Sequence, residues 1–144
     1  MFKNITVAFI TQSIKEKPFF VGLGLAKMFQ GKITIIECMY KKSPKFIFFE
    51  TKDDKKSTDL QRKTAQKSLN KFERLAKQEG VQIRTKIALT ESIADWIIEY
   101  VKEQKTDLLI IDHPHLSELE ENHYDYIIQE ISHKVKVPLL LLRS

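Results

Sequence analysis

Short apolar runs alternate with stretches of helical periodicity along most of the chain. Aliphatic and β-branched residues dominate residues 5–10, 33–40, 108–111 and 139–142, whereas residues 81–89 begin with alternating apolar and polar positions. The first three runs are typical of strands buried on both faces, and the alternating run is typical of a less buried strand. The run at 139–142 is predicted to be the final strand. The pattern therefore predicts five strands.

Apolar residues recur at helical spacing in the segments that separate these strands. The predicted helical stripes cover residues 20–26, 65–76, 93–101 and 124–135. Pro18 suits the first turn of the first helix, and Gly31 and Gly80 are predicted C-terminal stops of the first two helices. Ser92 is a predicted N-cap of the third helix. Strands that alternate with helices in this way predict an open, mostly parallel α/β sheet covered on both faces.

One segment breaks the alternation. Residues 41–63 are Lys-rich and polar, and we expect an irregular, flexible loop there. Within it, Phe46 to Phe49 are four consecutive large apolar residues, which pack back on the domain or serve as a contact surface. The length of 144 residues corresponds to one domain, so residues 1–144 are expected to fold together.

Cysteine content and hydropathy narrow the class of protein. The single cysteine, Cys38, excludes an intramolecular disulfide and is expected to be an inert core thiol. The longest apolar run, Leu139 to Leu142, is far too short to span a membrane. The first ten residues lack the features of a secretory signal. We therefore expect a cytoplasmic protein without a membrane partner.

The chain has a net charge of +5, and its charged residues are distributed unevenly along the sequence. Residues 41–86 contain 14 Lys and Arg against six Asp and Glu, whereas residues 87–131 contain two Lys against 11 Asp and Glu. Nucleic-acid binders are more often basic throughout or along one face. We therefore do not expect a nucleic-acid partner, and binding of nucleic acid through the basic 41–86 region is kept as an alternative.

Taken in order and at matching distances, several segments resemble the universal stress protein family over nearly the whole chain. The segments that carry the resemblance are residues 25–31 (Leu-Ala-Lys-Met-Phe-Gln-Gly), 65–81, 92–100, 106–111 (Thr-Asp-Leu-Leu-Ile-Ile) and 137–142 (Val-Pro-Leu-Leu-Leu-Leu). The resemblance implies a Rossmann-like sheet of five parallel strands and a stress-response regulatory or binding module rather than an enzyme. It also implies a homodimer that pairs through the last strand, here Pro138, Leu139, Leu140, Leu141 and Leu142.

Many members of that family bind ATP through a Gly-x2-Gly-x9-Gly-Ser/Thr motif after the fourth strand and an Asp at the end of the first strand. The positions that match this nucleotide site are Ile10, Thr11, Asp112, His115, Asp125 and Tyr126. Glycine lets backbone amides approach phosphates closely at a helix N-terminus, and no glycine remains at positions 112, 115 or 125. Two of the replacements are carboxylates, which repel phosphate. The resemblance is therefore to the subclass without the ATP-binding motif, and we expect no cofactor.

Two further possibilities stay open around this segment. A nucleotide-binding switch or weak ATPase with a degenerate phosphate site at 112–126 is the alternative function. His113, His115 and His123 are candidate metal ligands, but their spacing matches no established zinc signature, so a polar surface loop over 112–125 is expected instead. No serine lies in a Gly-x-Ser-x-Gly sequence, and no catalytic residue is predicted.

Overall fold

Strands and helices alternate along the chain in the computed structural model, which describes residues 1–11, 13–41 and 52–143. The elements are β1 (Asn4–Phe9), α1 (Glu16–Phe29), β2 (Lys32–Tyr40), α2 (Lys52–Gln78), β3 (Ile83–Thr90), α3 (Ile93–Glu103), β4 (Leu108–His113), α4 (Glu118–Lys134) and β5 (Leu139–Arg143). Residues Phe46 to Phe49, for which a contact surface was considered, lie outside the described residues.

The five strands form one parallel sheet in the order β3-β2-β1-β4-β5. The chain moves outward from β1 to β3 and then crosses back to continue with β4 and β5. Ile5 of β1 is in register with both Ile33 of β2 and Leu108 of β4. The predicted α/β fold, a Rossmann-like open five-stranded parallel sheet, is confirmed. The reversal of strand order lies between β1 and β4, which is where ligands bind in sheets of this kind.

The sheet is covered on both faces by separate apolar layers, as its buried strands require. Alternate residues of β1 point to opposite faces, so that Val7 and Phe9 pack with α1 and α2 while Ala8 and Ile10 pack with α3 and α4. Phe19 of α1 stacks on Phe72 of α2, with ring centroids 4.2 Å apart. Each pair of helices therefore closes one face of the sheet.

The first helix ends at Phe29, two residues before the glycine that was predicted to stop it. Gln30, with a φ of 54°, takes the left-handed position at the C-terminus, and the N–H of Gly31 donates to the carbonyl oxygen of Ala26 over 2.8 Å. Gly31 instead allows its backbone to lie close to the backbone of Phe2, because a Cβ built there would lie 2.5 Å from the carbonyl oxygen of Phe2. Gly80, with a φ of 72°, follows α2 as predicted.

The expectation of an irregular segment over 41–63 is wrong for its second half, because α2 begins at Lys52. Residues 52–63 contain no Gly or Pro and are rich in residues with good helix propensity. Side chains from Lys55 onward in this part of the helix are mostly exposed, so no apolar stripe marks it in the sequence. None of the described helices has the length and hydrophobicity needed to cross a bilayer.

The polar loop expected over 112–125 is also mostly regular structure. β4 continues to His113, and α4 begins at Glu118, about two turns before the apolar stripe that predicted it. Ser117 is the N-cap of α4, and its hydroxyl accepts the N–H of Glu120. The early turns were missed because they are polar and largely exposed, so only the cap residues signal them.

Candidate functional site

A cavity of about 520 Å³ lies beside the carboxyl ends of β1 and β2 and is bounded by α4 on its other side. Its apolar lining includes Ile10, Cys38, Met39, Ile93 and Ile127. Because β1 is next to the reversal of strand order, the cavity occupies the place where open parallel sheets bind ligands. This makes it the candidate binding site.

One face of α4 forms a wall of the cavity. Glu120, His123, Tyr124 and Ile127 all line it, and they are spaced three, four and seven residues from the first. Residues at these spacings project from the same side of a helix. Their arrangement therefore follows from α4 beginning early enough to include residue 120.

A hydrogen bond crosses from β2 to α4 at the polar side of the cavity. The Tyr40 hydroxyl and Nε2 of His123 are 2.7 Å apart, and the two ring centroids are 5.7 Å apart. Burial, with a smaller contribution from Cys38, raises the pKa of Tyr40 above its usual value, so this phenol stays protonated at neutral pH. The pair ties the end of a strand to the helix that forms the wall.

The N-terminus of α4 is closed by the chain's own side chains. The Ser117 hydroxyl accepts the N–H of Glu120 at 3.5 Å and is 2.7 Å from the Glu120 carboxylate, to which it donates. Glu118 and Glu121 lie in the same first turn. The partial positive charge of a helix N-terminus favours anions, and here carboxylates of the helix itself occupy that region.

Tyr124 is a buried member of the cavity wall. Its side chain is 2% exposed, and its hydroxyl has no hydrogen-bond partner among the described residues. Burial, together with the carboxylates of Asp112 and Asp125, raises the pKa of Tyr124 well above the usual range. The ring also meets the edge of His113, with centroids 4.9 Å apart. The phenol is therefore a neutral group with unused hydrogen-bonding capacity.

Only some of the positions that match the family's nucleotide site line the cavity. Ile10 and Thr11 line the cavity, but Asp112, His115, Asp125 and Tyr126 do not. Asp112 is buried at the end of β4, whereas the other three are exposed. The residues at the former glycine positions therefore lie outside the cavity wall.

The three candidate metal ligands have different surroundings. His113 is 7% exposed, with Nε2 3.6 Å from a carboxylate oxygen of Asp125, while His123 bonds to Tyr40 and His115 is exposed. Within the described ranges, no group of three or more His, Cys, Asp or Glu side chains is arranged to hold a metal ion.

Several residues of the site were not predicted from the sequence. Glu120 was detectable, because Ser117 and Glu120 have the Ser-x-x-Glu spacing of a capping box. The pairing of Tyr40 with His123 had no such signal, since the two residues are 83 positions apart and meet only through the sheet order.

A doubly wound α/β sheet with a cavity at its switch point defines the broad class of this protein. Comparison with known families identifies the class more closely, because the model of the universal stress protein family matches residues 1–143. The chain belongs to the universal stress protein family. A search of curated proteins found no match.

Solved structures of distant relatives share the fold. Universal stress protein UspA from Lactobacillus plantarum is 11% identical with a TM-score of 0.77, and the match covers 99% of each chain. A family protein from Burkholderia pseudomallei is 12% identical with a TM-score of 0.72, covering 98% of this chain and 96% of that one. The universal stress protein from Archaeoglobus fulgidus in complex with dAMP is 10% identical with a TM-score of 0.64, covering 98% of each chain.

Proposed function

We propose that this protein is a stress-response binding or regulatory module without enzymatic activity, and that its cavity does not accept ATP. The observation that carries the proposal is the closed N-terminus of α4, where Ser117 and Glu120 pair with each other. A triphosphate held against this helix would meet the carboxylates of Glu118, Glu120 and Glu121. At such short range, like charges repel unless a cation lies between them.

Two further observations support the exclusion of ATP. Thr11 and Ser13 line the cavity, but no Lys or Arg does so among the described residues. Side chains stand at all three former glycine positions, where they block close approach of a phosphate to the backbone. Both the charge and the shape of this region therefore oppose a triphosphate.

A nucleotide-binding switch is the second candidate function. It is favoured by the position of the cavity at the switch point of the sheet and by the dAMP complex of the Archaeoglobus fulgidus relative. That relative shares the fold at 10% identity.

Thermal unfolding in millimolar Mg-ATP separates the two candidates. We expect no change in Tm, because only a ligand that binds the folded protein raises its stability. A rise of several degrees contradicts the proposal. If the rise is lost in Thr11→Trp, which narrows the cavity, and kept in Thr64→Trp on the exposed face of α2, the nucleotide binds in the cavity and the switch is favoured.

We also propose that the protein acts as a homodimer through β5. This strand lies at one edge of the sheet, and its four leucines, Leu139 to Leu142, are each only half-buried. An apolar edge strand with unpaired backbone groups is suited to pair with a second copy. We expect light scattering to give twice the chain mass of 16.9 kDa.

The dimer proposal has a matched pair of variants. Leu142→Lys places a charge on β5 and is expected to give the monomer mass, with circular dichroism checking that the fold remains. Leu60→Lys changes a leucine that is 66% exposed on α2 and is expected to leave the mass unchanged. A wild-type protein of monomer mass, or loss of the dimer in both variants, contradicts pairing through β5.

A further inference from the structure

We infer that the ligand of the cavity is a small organic cation with an apolar body. The inference rests on the proposed function, since it names the class of ligand for the same cavity. It follows from three properties of the wall and floor: their apolar character, the carboxylate at the polar side, and the aromatic ring beside that carboxylate.

The floor of the cavity selects for an apolar body. Ile10, Met39, Ile93 and Ile127 present aliphatic surface, and Cys38 adds a buried thiol. Burial raises the pKa of Cys38 well above its usual value, so it contributes no negative charge. A volume of about 520 Å³ is within the range of small-molecule sites and accommodates a bicyclic ring.

The charge at the polar side is negative. Glu120 is the one carboxylate among the described lining residues, and none of those residues is Lys or Arg. Ser117 donates to one oxygen, Oε1, of this carboxylate and leaves Oε2 for another donor. A positively charged group on the ligand is therefore favoured at this position, and a negatively charged group is disfavoured.

Tyr124 supplies a second point of recognition beside Glu120. The two residues are four positions apart on α4, so their side chains are neighbours on one face of the helix. The Tyr124 hydroxyl is buried near the carboxylates of Asp112 and Asp125, so the part of Tyr124 that lines the cavity is its ring. An ammonium group held at this position would donate to the Glu120 carboxylate and would be attracted by the aromatic ring.

Three probes that share one ring test the inference: tryptamine, a cation; 3-ethylindole, which is neutral; and indole-3-propionate, an anion. In calorimetric titrations of the full chain at low salt, we expect tryptamine to bind about fivefold more tightly than 3-ethylindole, because a partly exposed ion pair contributes modestly. We expect indole-3-propionate to bind more weakly than 3-ethylindole.

Glu120→Gln is the decisive variant, because Gln preserves the capping box at the start of α4. It is expected to abolish the preference for tryptamine over 3-ethylindole. Glu121→Gln removes a neighbouring carboxylate that does not line the cavity, and it is expected to keep the preference. Tyr124→Leu, which removes the aromatic ring, is expected to weaken tryptamine more than 3-ethylindole.

The inference is overturned if the three probes bind equally or if the anion binds most tightly. It is also overturned if the preference for tryptamine survives in Glu120→Gln or if tryptamine does not bind. These outcomes are distinguishable from failure of the proposed function, which is marked by a rise of Tm with Mg-ATP. If the protein binds neither ATP nor tryptamine, the proposed exclusion of ATP is supported and only the inference of an organic cation is contradicted.

Discussion

Glu37 is an ionisable side chain placed inside the sheet. It lies on β2 between Phe9 of β1 and Ile87 of β3 and is 1% exposed. Its Oε2 has no hydrogen-bond partner among the described residues. Burial raises the pKa of Glu37 to about 9, so the folded protein holds a neutral carboxylic acid here at neutral pH. An unpaired oxygen still destabilises the fold when the acid is neutral, because it has lost its hydrogen bonds to water.

We predict that Glu37→Met stabilises the protein by about 1–3 kcal/mol at neutral pH, the usual penalty of a buried polar group without a partner. The pH dependence should change as well. Between the ordinary pKa of 4.5 and the folded value of about 9, the folded state holds a proton that the unfolded state has released. Stability of the wild type therefore falls as pH rises through this window and levels off above it.

Urea denaturation across the same pH window measures both effects of Glu37→Met. The variant should lose the part of the pH dependence that belongs to residue 37. Glu99→Met, on the exposed side of α3, is the control and should leave the wild-type pH profile intact. A Glu37→Met protein less stable than the wild type at neutral pH would show that the carboxyl is satisfied in solution.

At the scale of the element, α1 is held close to the sheet by one of its two glycines. A Cβ built at Gly22 would lie 2.8 Å from Cδ1 of Ile33 and 2.9 Å from Cγ2 of Val7, both of them core residues. A Cβ built at Gly24 would meet no atom within 4 Å. The absence of a side chain therefore matters for packing at Gly22 and only for helix propensity at Gly24.

We predict opposite effects for the two alanine substitutions in α1. Gly24→Ala should stabilise the protein by about 0.5–1 kcal/mol, since alanine loses less backbone entropy than glycine in a helix. Gly22→Ala gains the same propensity but forces the β1 and β2 side chains apart, which costs about 1–3 kcal/mol. Chemical denaturation of the two variants in parallel gives the comparison, and equal stabilities would mean that α1 is not closely packed at Gly22.

The elements that sequence predicts well are those with one buried face. The strands and the apolar stripes of the helices were found because burial imposes a period on the residue pattern. The first three turns of α2 and the start of α4 were missed, since exposed helix imposes no such period. In the site, Ile10 and Thr11 were identified through the family resemblance, whereas contacts such as that of Tyr40 with His123 depend on the order of strands in the sheet.

Across the whole molecule, the two faces of the sheet differ in charge. On the face covered by α1 and α2, Lys56, Lys63, Lys67 and Arg74 are exposed and recur along α2 at intervals of seven, four and seven residues, which places them on its outward side. On the opposite face, the first turn of α4 carries three glutamates. The outward side of the described part of α2 is therefore basic, whereas the start of α4 is acidic.

The basic stripe of α2 is expected to attract nucleic acid too weakly for a specific function. Its four side chains neutralise few phosphates, and the described part of α2 exposes no aromatic ring on which bases could stack. Fluorescence anisotropy with a labelled single strand of about 20 nucleotides should show weak binding at low salt that vanishes at physiological salt. Lys63→Glu combined with Lys67→Glu should abolish the low-salt signal, whereas Glu99→Gln should not. A complex that persists at physiological salt and is lost in the double variant would instead favour a nucleic-acid-binding module, because attraction between so few charges is largely screened at that salt.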